Sequence, residues 1–157
     1  MTWRSGIRGV LVVAMLGALA ACTDDGDQAD APTSCVDSVR HASLPTWARD
    51  GFTPPDLAVN HVEGANGDIV GVMFGALRVP QRPRSNNKIL WVSRVGSGGD
   101  PLRISACLLG TDVTAERQVH GGPGPSIIDL PRAGCWRLDL NWTDNSDQVY
   151  VPYQKGP

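Results

Sequence analysis

From Cys35 onward the apolar residues come in short runs, most of them β-branched or aromatic, and the chain between the runs is Gly, Pro, Asn and Ser. The runs are "LAVNHV" (57–62), "DIVGVMFGALRV" (68–79), "KILWVSRV" (88–95), "PLRISACLL" (101–109), "TAERQV" (114–119), "SIIDL" (126–130), "CWRLDLNW" (135–142) and "DQVYVPY" (147–153). Their separators, "PQRPRSNN", "GSGGD", "HGGPGP", "PRAG" and "TDNS", are turn chemistry. Gly reaches positive φ, Pro fixes φ and removes a donor, and Asn closes tight turns. Short strands at such spacing predict an all-β fold, a single antiparallel β-sandwich of about seven or eight strands.

Two runs show which face goes inward. In 135–142, Trp136, Leu138, Leu140 and Trp142 share one face, and Cys135, Arg137, Asp139 and Asn141 the other. In 103–108, Ile104, Ala106 and Leu108 oppose Arg103, Ser105 and Cys107. The 68–79 run is apolar on both faces and reads as one central, buried strand, with Gly71 and Gly75 allowing bulges or close approach. Before the first strand, "LPTWARDGF" (44–52) reads as a single helical turn, Pro45 at its first position and Gly51 at its stop. Trp47 is expected to pin that turn onto the sandwich.

The N terminus carries an address. Arg4 and Arg8 precede Val10–Ala21, twelve apolar or small residues. A membrane-spanning helix needs about 20; twelve suit the h-region of an export signal. The run ends in Leu19-Ala20-Ala21-Cys22, which resembles a bacterial lipobox. That resemblance implies a signal peptide over 1–21, diacylglycerol (palmitate-type) modification of the Cys22 thiol, and a protein held outside the cytoplasm on the cell membrane. Two acyl chains anchor stably where one is marginal. Residues 22–34, with Asp24, Asp25, Asp27 and Asp30, are expected to be a flexible acidic tether, and 35–157 the folded domain.

From Cys35 onward there are twelve Lys plus Arg and twelve Asp plus Glu. That balance gives no field steering the domain toward nucleic acid or anionic lipid; the membrane, reached through Cys22, and an envelope protein, glycan or lipid are the expected partners. The densest basic stretch holds Arg78, Arg82, Arg84 and Lys88; its Pro and Asn residues make it a loop, read as a solvated connection rather than an anion site. Three cysteines remain beside Cys22: Cys35, Cys107 and Cys135. Outside the cytoplasm two should pair. Closing the loop is worth about 4.7 kcal/mol for Cys35–Cys135 and about 3.5 for Cys107–Cys135, which leaves both pairings open.

"LPTWARDGF", "NNKILWVSR", "PLRI" and above all "GPGPSIIDLPRAGCWRLDLNW" (122–142) resemble a group of actinobacterial secreted and lipid-anchored proteins with no assigned activity. The resemblance spans most of the domain. It implies that Cys35 and Cys135 are partners and leaves Cys107 as the odd thiol. More loosely, the last segment resembles the corner of bacterial immunoglobulin-like modules, with Trp136 where a corner tyrosine often sits. It supplies no functional residues.

Chemistry-bearing patterns are few. His41, His61 and His120 lack metal-ligand spacing. "DLNWTDNSD" (139–147) lacks the Gly and Glu of a calcium loop and reads as a hairpin turn. No nucleophile elbow is present. Neither a metal nor a cofactor is expected, and no catalytic residue is assigned. The leading expectation is a non-catalytic binding or structural module of the cell envelope. The alternatives are an envelope enzyme whose acids (Asp112, Glu116 and Asp129 among them) converge in space, and a carrier of lipid or small hydrophobes.

Overall fold

The computed structural model describes residues 35–53 and 58–157. The proposed signal peptide, Cys22 and the tether lie outside them. Ten strands are present among the described residues: β1 (Arg40–Ser43), β2 (Ala58–Glu63), β3 (Ile69–Met73), β4 (Arg78–Val79), β5 (Lys88–Ser93), β6 (Leu102–Leu108), β7 (Thr114–Val119), β8 (Pro125–Ile127), β9 (Gly134–Trp142) and β10 (Asn145–Lys155). They form two five-stranded sheets, ordered β1-β2-β3-β5-β8 and β4-β10-β9-β6-β7. The protein is an all-β sandwich.

The alternation read in the sequence is the alternation observed. Trp136, Leu138, Leu140 and Trp142 of β9 point inward, as do Ile104, Ala106 and Leu108 of β6 and Val149, Val151 and Tyr153 of β10. From the facing sheet Val62, Ile69, Met73, Ile89 and Trp91 complete the core. A Cβ on Gly71 would lie 2.8 Å from the Trp91 ring, so the glycine of β3 is what lets this tryptophan lie flat against the sheet. Two of the three buried indoles have their polar ends served locally, while Trp142 Nε1 is buried without a hydrogen-bond partner. Trp136 Nε1 donates to Arg132 O (2.9 Å) and Trp91 Nε1 to Ser126 Oγ (3.2 Å).

A second apolar cluster sits on the outer face of the first sheet. Leu44 and Ala48 cover Val70 and Val72, with Trp47, Phe52, Val59, Leu90 and Val92 around them. This is why the 68–79 run is apolar on both faces: one set of side chains meets the core and the other meets the chain that folds over the sheet. The covering segment contains one 3-10 turn, Thr46–Ala48, with Pro45 at its N-cap rather than inside it.

Two expectations need correction. The 68–79 run is not one strand. It breaks after Met73, and β4 resumes in the opposite sheet, parallel to β10 with Arg78 opposite Gln154. Phe74, Gly75 and Ala76 are exposed at the crossing. The strand count is also higher than seven or eight, because this break adds β4 and because β1 was not anticipated. All four β1 residues are exposed, so the strand buries no face that would leave an alternating pattern.

Cys35 and Cys135 form a disulfide with a Cα–Cα distance of 5.4 Å. The turn that starts at Cys35 lies against the second sheet, where Ser38 Oγ donates to Tyr150 O (2.7 Å). The chain then enters the first sheet at β1, so the bridge ties the entry of one sheet to the outer face of the other. The Cys107–Cys135 alternative is not observed, and Cys107, expected as the odd thiol, is itself disulfide-bonded, with no free cysteine among the described residues. β6 and β9 are neighbours, but their register sets Cys107 opposite Arg137.

Candidate functional site

The crossing between the sheets builds an arginine-lined cleft. After β4 the chain runs through a cis Val79–Pro80 bond into a tight turn, in which Ser85 N donates to Arg82 O (3.1 Å). Pro83 takes the second position of this turn, where its fixed φ fits. Arg84 takes the third, at φ 66°, a left-handed conformation that favours glycine. Holding a non-glycine residue there costs on the order of 1–2 kcal/mol. Such local strain is found preferentially where a side chain is needed for something other than folding.

Asn87 fixes the base of this loop. It is buried, its Oδ1 accepts from Arg78 N (2.8 Å), and its Nδ2 donates to Arg78 O (3.0 Å) and Asp129 Oδ1 (2.9 Å). The side chain thus imitates a paired strand and closes the loop from 78 to 87. Asp129 also accepts from Gln81 Nε2, so the one acid reaching the loop is spent on its base.

The resulting cleft has a volume of about 420 Å³ and is lined by Phe74, Gly75, Ala76, Arg78, Arg82, Arg84, Ser85 and Asn86. Three arginines and no acidic residue line it. Among the described residues no carboxylate forms an ion pair with Arg78, Arg82 or Arg84. Lys88 extends over the Phe74 ring, 4.9 Å from its centre, adding a fourth positive charge at the rim. Arginine forks match the oxygens of phosphate and carboxylate groups, and convergent uncompensated cations favour an anion between them. The domain is neutral as a whole, but residues 74–88 carry four of its twelve cations and no acid.

A second cleft, about 450 Å³, is lined by Asp37, Ser38, Arg40, Glu63, Ala65, Gln148, Val149 and Tyr150. It contains two carboxylates, the feature an envelope hydrolase would need. The Glu63 oxygens, however, are both engaged: Oε2 by Arg40 Nη1 (3.0 Å) and Oε1 by His61 Nε2 (3.3 Å). His61 is 0 % exposed beneath the covering segment, and its Nδ1 donates to Val59 O (2.9 Å), so the imidazole cannot reach a substrate. The arrangement is a charge pair locking β1 to β2. In sequence His61 shows only the lack of metal-ligand spacing noted above. Strand alternation nevertheless places residues 61 and 63 on one face, and that signal was available.

The other singled-out residues are scattered. Glu116 accepts from Ser105 Oγ, Asp129 serves the loop base, and Asp112 is exposed in the β6–β7 turn. They do not converge. His41 contacts Asn60 Oδ1 on the exposed β1–β2 edge, and His120 is exposed beyond β7. No cluster of three potential metal ligands occurs among the described residues. The 139–147 segment is a β9–β10 hairpin, with Trp142 opposite Asn145 and Thr143 at φ 49°.

No family model, curated protein or solved structure matches this chain.

Proposed function

We propose that this protein is a non-catalytic binding module of the bacterial cell envelope, anchored to the membrane by lipid on Cys22, and that its binding site is the cleft of Arg78, Arg82 and Arg84. The observation that carries the binding site is the convergence of three arginines, one of them held in a strained backbone conformation, around a cleft with no acid in its wall. The ligand is an anion presenting oxygens to guanidinium groups. The envelope location rests on the lipobox of residues 19–22 and the acidic segment after it. The resemblance to actinobacterial lipid-anchored proteins agrees with that address. An immunoglobulin-like topology is the finer reading of the sandwich, supported by the Trp136–Arg132 hydrogen bond, which reaches back to the backbone as a corner tyrosine does.

The test is the affinity of the detergent-extracted full chain for inorganic pyrophosphate, measured calorimetrically. Arg82→Glu should weaken it by at least about tenfold, the scale of one lost charge-assisted contact. Arg103→Glu, on the outer face of β6, should leave it unchanged. Absence of binding, or equal loss in both variants, would overturn the proposal.

A further inference from the structure

An apolar slot of about 200 Å³ adjoins the arginine cleft, lined by Val36, Val39, Asn60, Met73, Gly75, Ala76, Leu77, Pro152 and Gln154. Gly75 and Ala76 line both spaces, so the two meet at the exposed crossing between β3 and β4. Two of the most exposed large apolar side chains among the described residues stand at this junction: Phe74 (59 %) and Val36 (67 %). The slot is smaller than the roughly 300 Å³ at which small-molecule pockets begin, so it is no carrier cavity by itself. Beside a cluster of arginines it has a different use.

Resting on the anion-binding reading above, we infer that the ligand is an anionic membrane phospholipid, its phosphate held by Arg78, Arg82 and Arg84 and the first part of an acyl chain laid in the slot between Val39, Met73 and Leu77. The charge complementarity is with a phosphate, and the apolar extension distinguishes an amphiphile from a soluble anion. The chain's own geometry agrees. Val36, in the slot wall, is next to Cys35, where the segment leading back to Cys22 joins the domain. Thirteen residues span at most about 45 Å when extended, so with Cys22 in the bilayer this end of the sandwich stays within reach of the headgroups. The tether raises the effective headgroup concentration at the cleft, and a modest intrinsic affinity is then sufficient. The consequence is a domain laid down on the membrane with Phe74 and the arginines toward the lipid.

Gly75 permits a clean test. A Cβ there meets no atom within 4 Å, and its φ lies outside the left-handed range, so Gly75→Trp can be accommodated and would fill the junction while leaving every arginine in place. The lipidated full chain is reconstituted in nanodiscs of phosphatidylcholine alone or with phosphatidylglycerol, and amide hydrogen exchange is followed by mass spectrometry. The expected result is exchange about tenfold slower over 73–88 in the phosphatidylglycerol discs only, an opening equilibrium shifted by ligand binding. Both Arg82→Glu and Gly75→Trp should abolish that protection. Equal protection in both disc types, or protection that survives Gly75→Trp, would overturn the inference. Protection by soluble pyrophosphate in phosphatidylcholine discs, with no effect of phosphatidylglycerol, would overturn it while leaving the anion-binding reading standing. No protection under either condition would remove both.

Discussion

The carboxylate of Asp147 occupies the space that a side chain on Gly64 would need. Asp147 is the first inward-facing residue of β10 and is 5 % exposed. Its Oδ1 accepts from Asn66 N (2.9 Å) and Gln148 N (2.8 Å), and its Oδ2 from Asp68 N (3.1 Å). Two of the three backbone donors that satisfy this buried acid belong to the β2–β3 turn, so the turn of one sheet is fastened to a strand of the other. Gly64→Ala should cost about 2–3 kcal/mol, since the new methyl can enter only by displacing a buried, hydrogen-bonded carboxylate. In an Asp147→Ala background the same substitution should cost under about 1 kcal/mol. Equilibrium denaturation of the four variants in a double-mutant cycle measures this coupling.

Cys135→Ser should destabilise the protein by about 2–5 kcal/mol, the usual cost of losing a native disulfide from a small domain. The bridge spans a sequence separation of 100 residues, at the long end of the loops for which such stabilisation is described. A non-reducing peptide map should join the Cys35 and Cys135 peptides. A Cys107–Cys135 peptide would contradict the fold.

Tyr153 gives the protein an alkaline limit. Its hydroxyl donates to Ile128 O (2.5 Å) in the core, and burial, followed by the Asp129 carboxylate, pushes the phenol well above its ordinary value of 10.0, with Arg117 acting in the opposite direction. The native state therefore holds the neutral phenol. This contribution is fully present below pH 10 and is lost as the pH rises beyond it, because the unfolded chain releases the proton first. At neutral pH Tyr153→Phe should cost about 1–2 kcal/mol for the orphaned carbonyl. Above pH 10 the gap between variant and wild type should narrow, as read by urea denaturation at several pH values.

Arg84 should show stability and binding moving apart. Arg84→Gly relieves the left-handed backbone at φ 66° and should leave stability unchanged or raise it by up to about 1 kcal/mol, glycine's greater freedom in the unfolded chain offsetting part of the gain. Anion affinity should nonetheless fall. Thermal unfolding and calorimetry on one preparation of the variant check both halves.

How much of this was legible in the sequence differs from element to element. β6 and β9 could be read residue by residue because one face of each meets the core and the other is mostly polar, so polarity records the pleat; Cys107 is the exception, buried on the outer face of β6. β1 left no such record, because the residues of "RHAS" are all exposed. The break in 68–79 was hidden for the opposite reason: a strand covered on both faces and an exposed Phe-Gly-Ala crossing are equally apolar in composition. Arg78, Arg82, Arg84 and Lys88 were visible as a basic run; its two ends lie in β4 and β5, and only the stretch between them is a loop. Its shape depends on Asn87 bridging Arg78 and Asp129, a contact across 42 residues between Asn87 and the acid that no local pattern announces.

The most direct test of the account is a heteronuclear NMR titration of the full chain with inorganic pyrophosphate, following backbone amides and arginine side chains residue by residue. Saturable shifts confined to residues 74–88, with the Arg78, Arg82 and Arg84 side-chain signals among them, are the predicted result. Saturable shifts centred instead on the Asp37–Glu63 cleft, or no saturable shifts anywhere in the domain, would contradict the claim that the arginine cleft is the binding site.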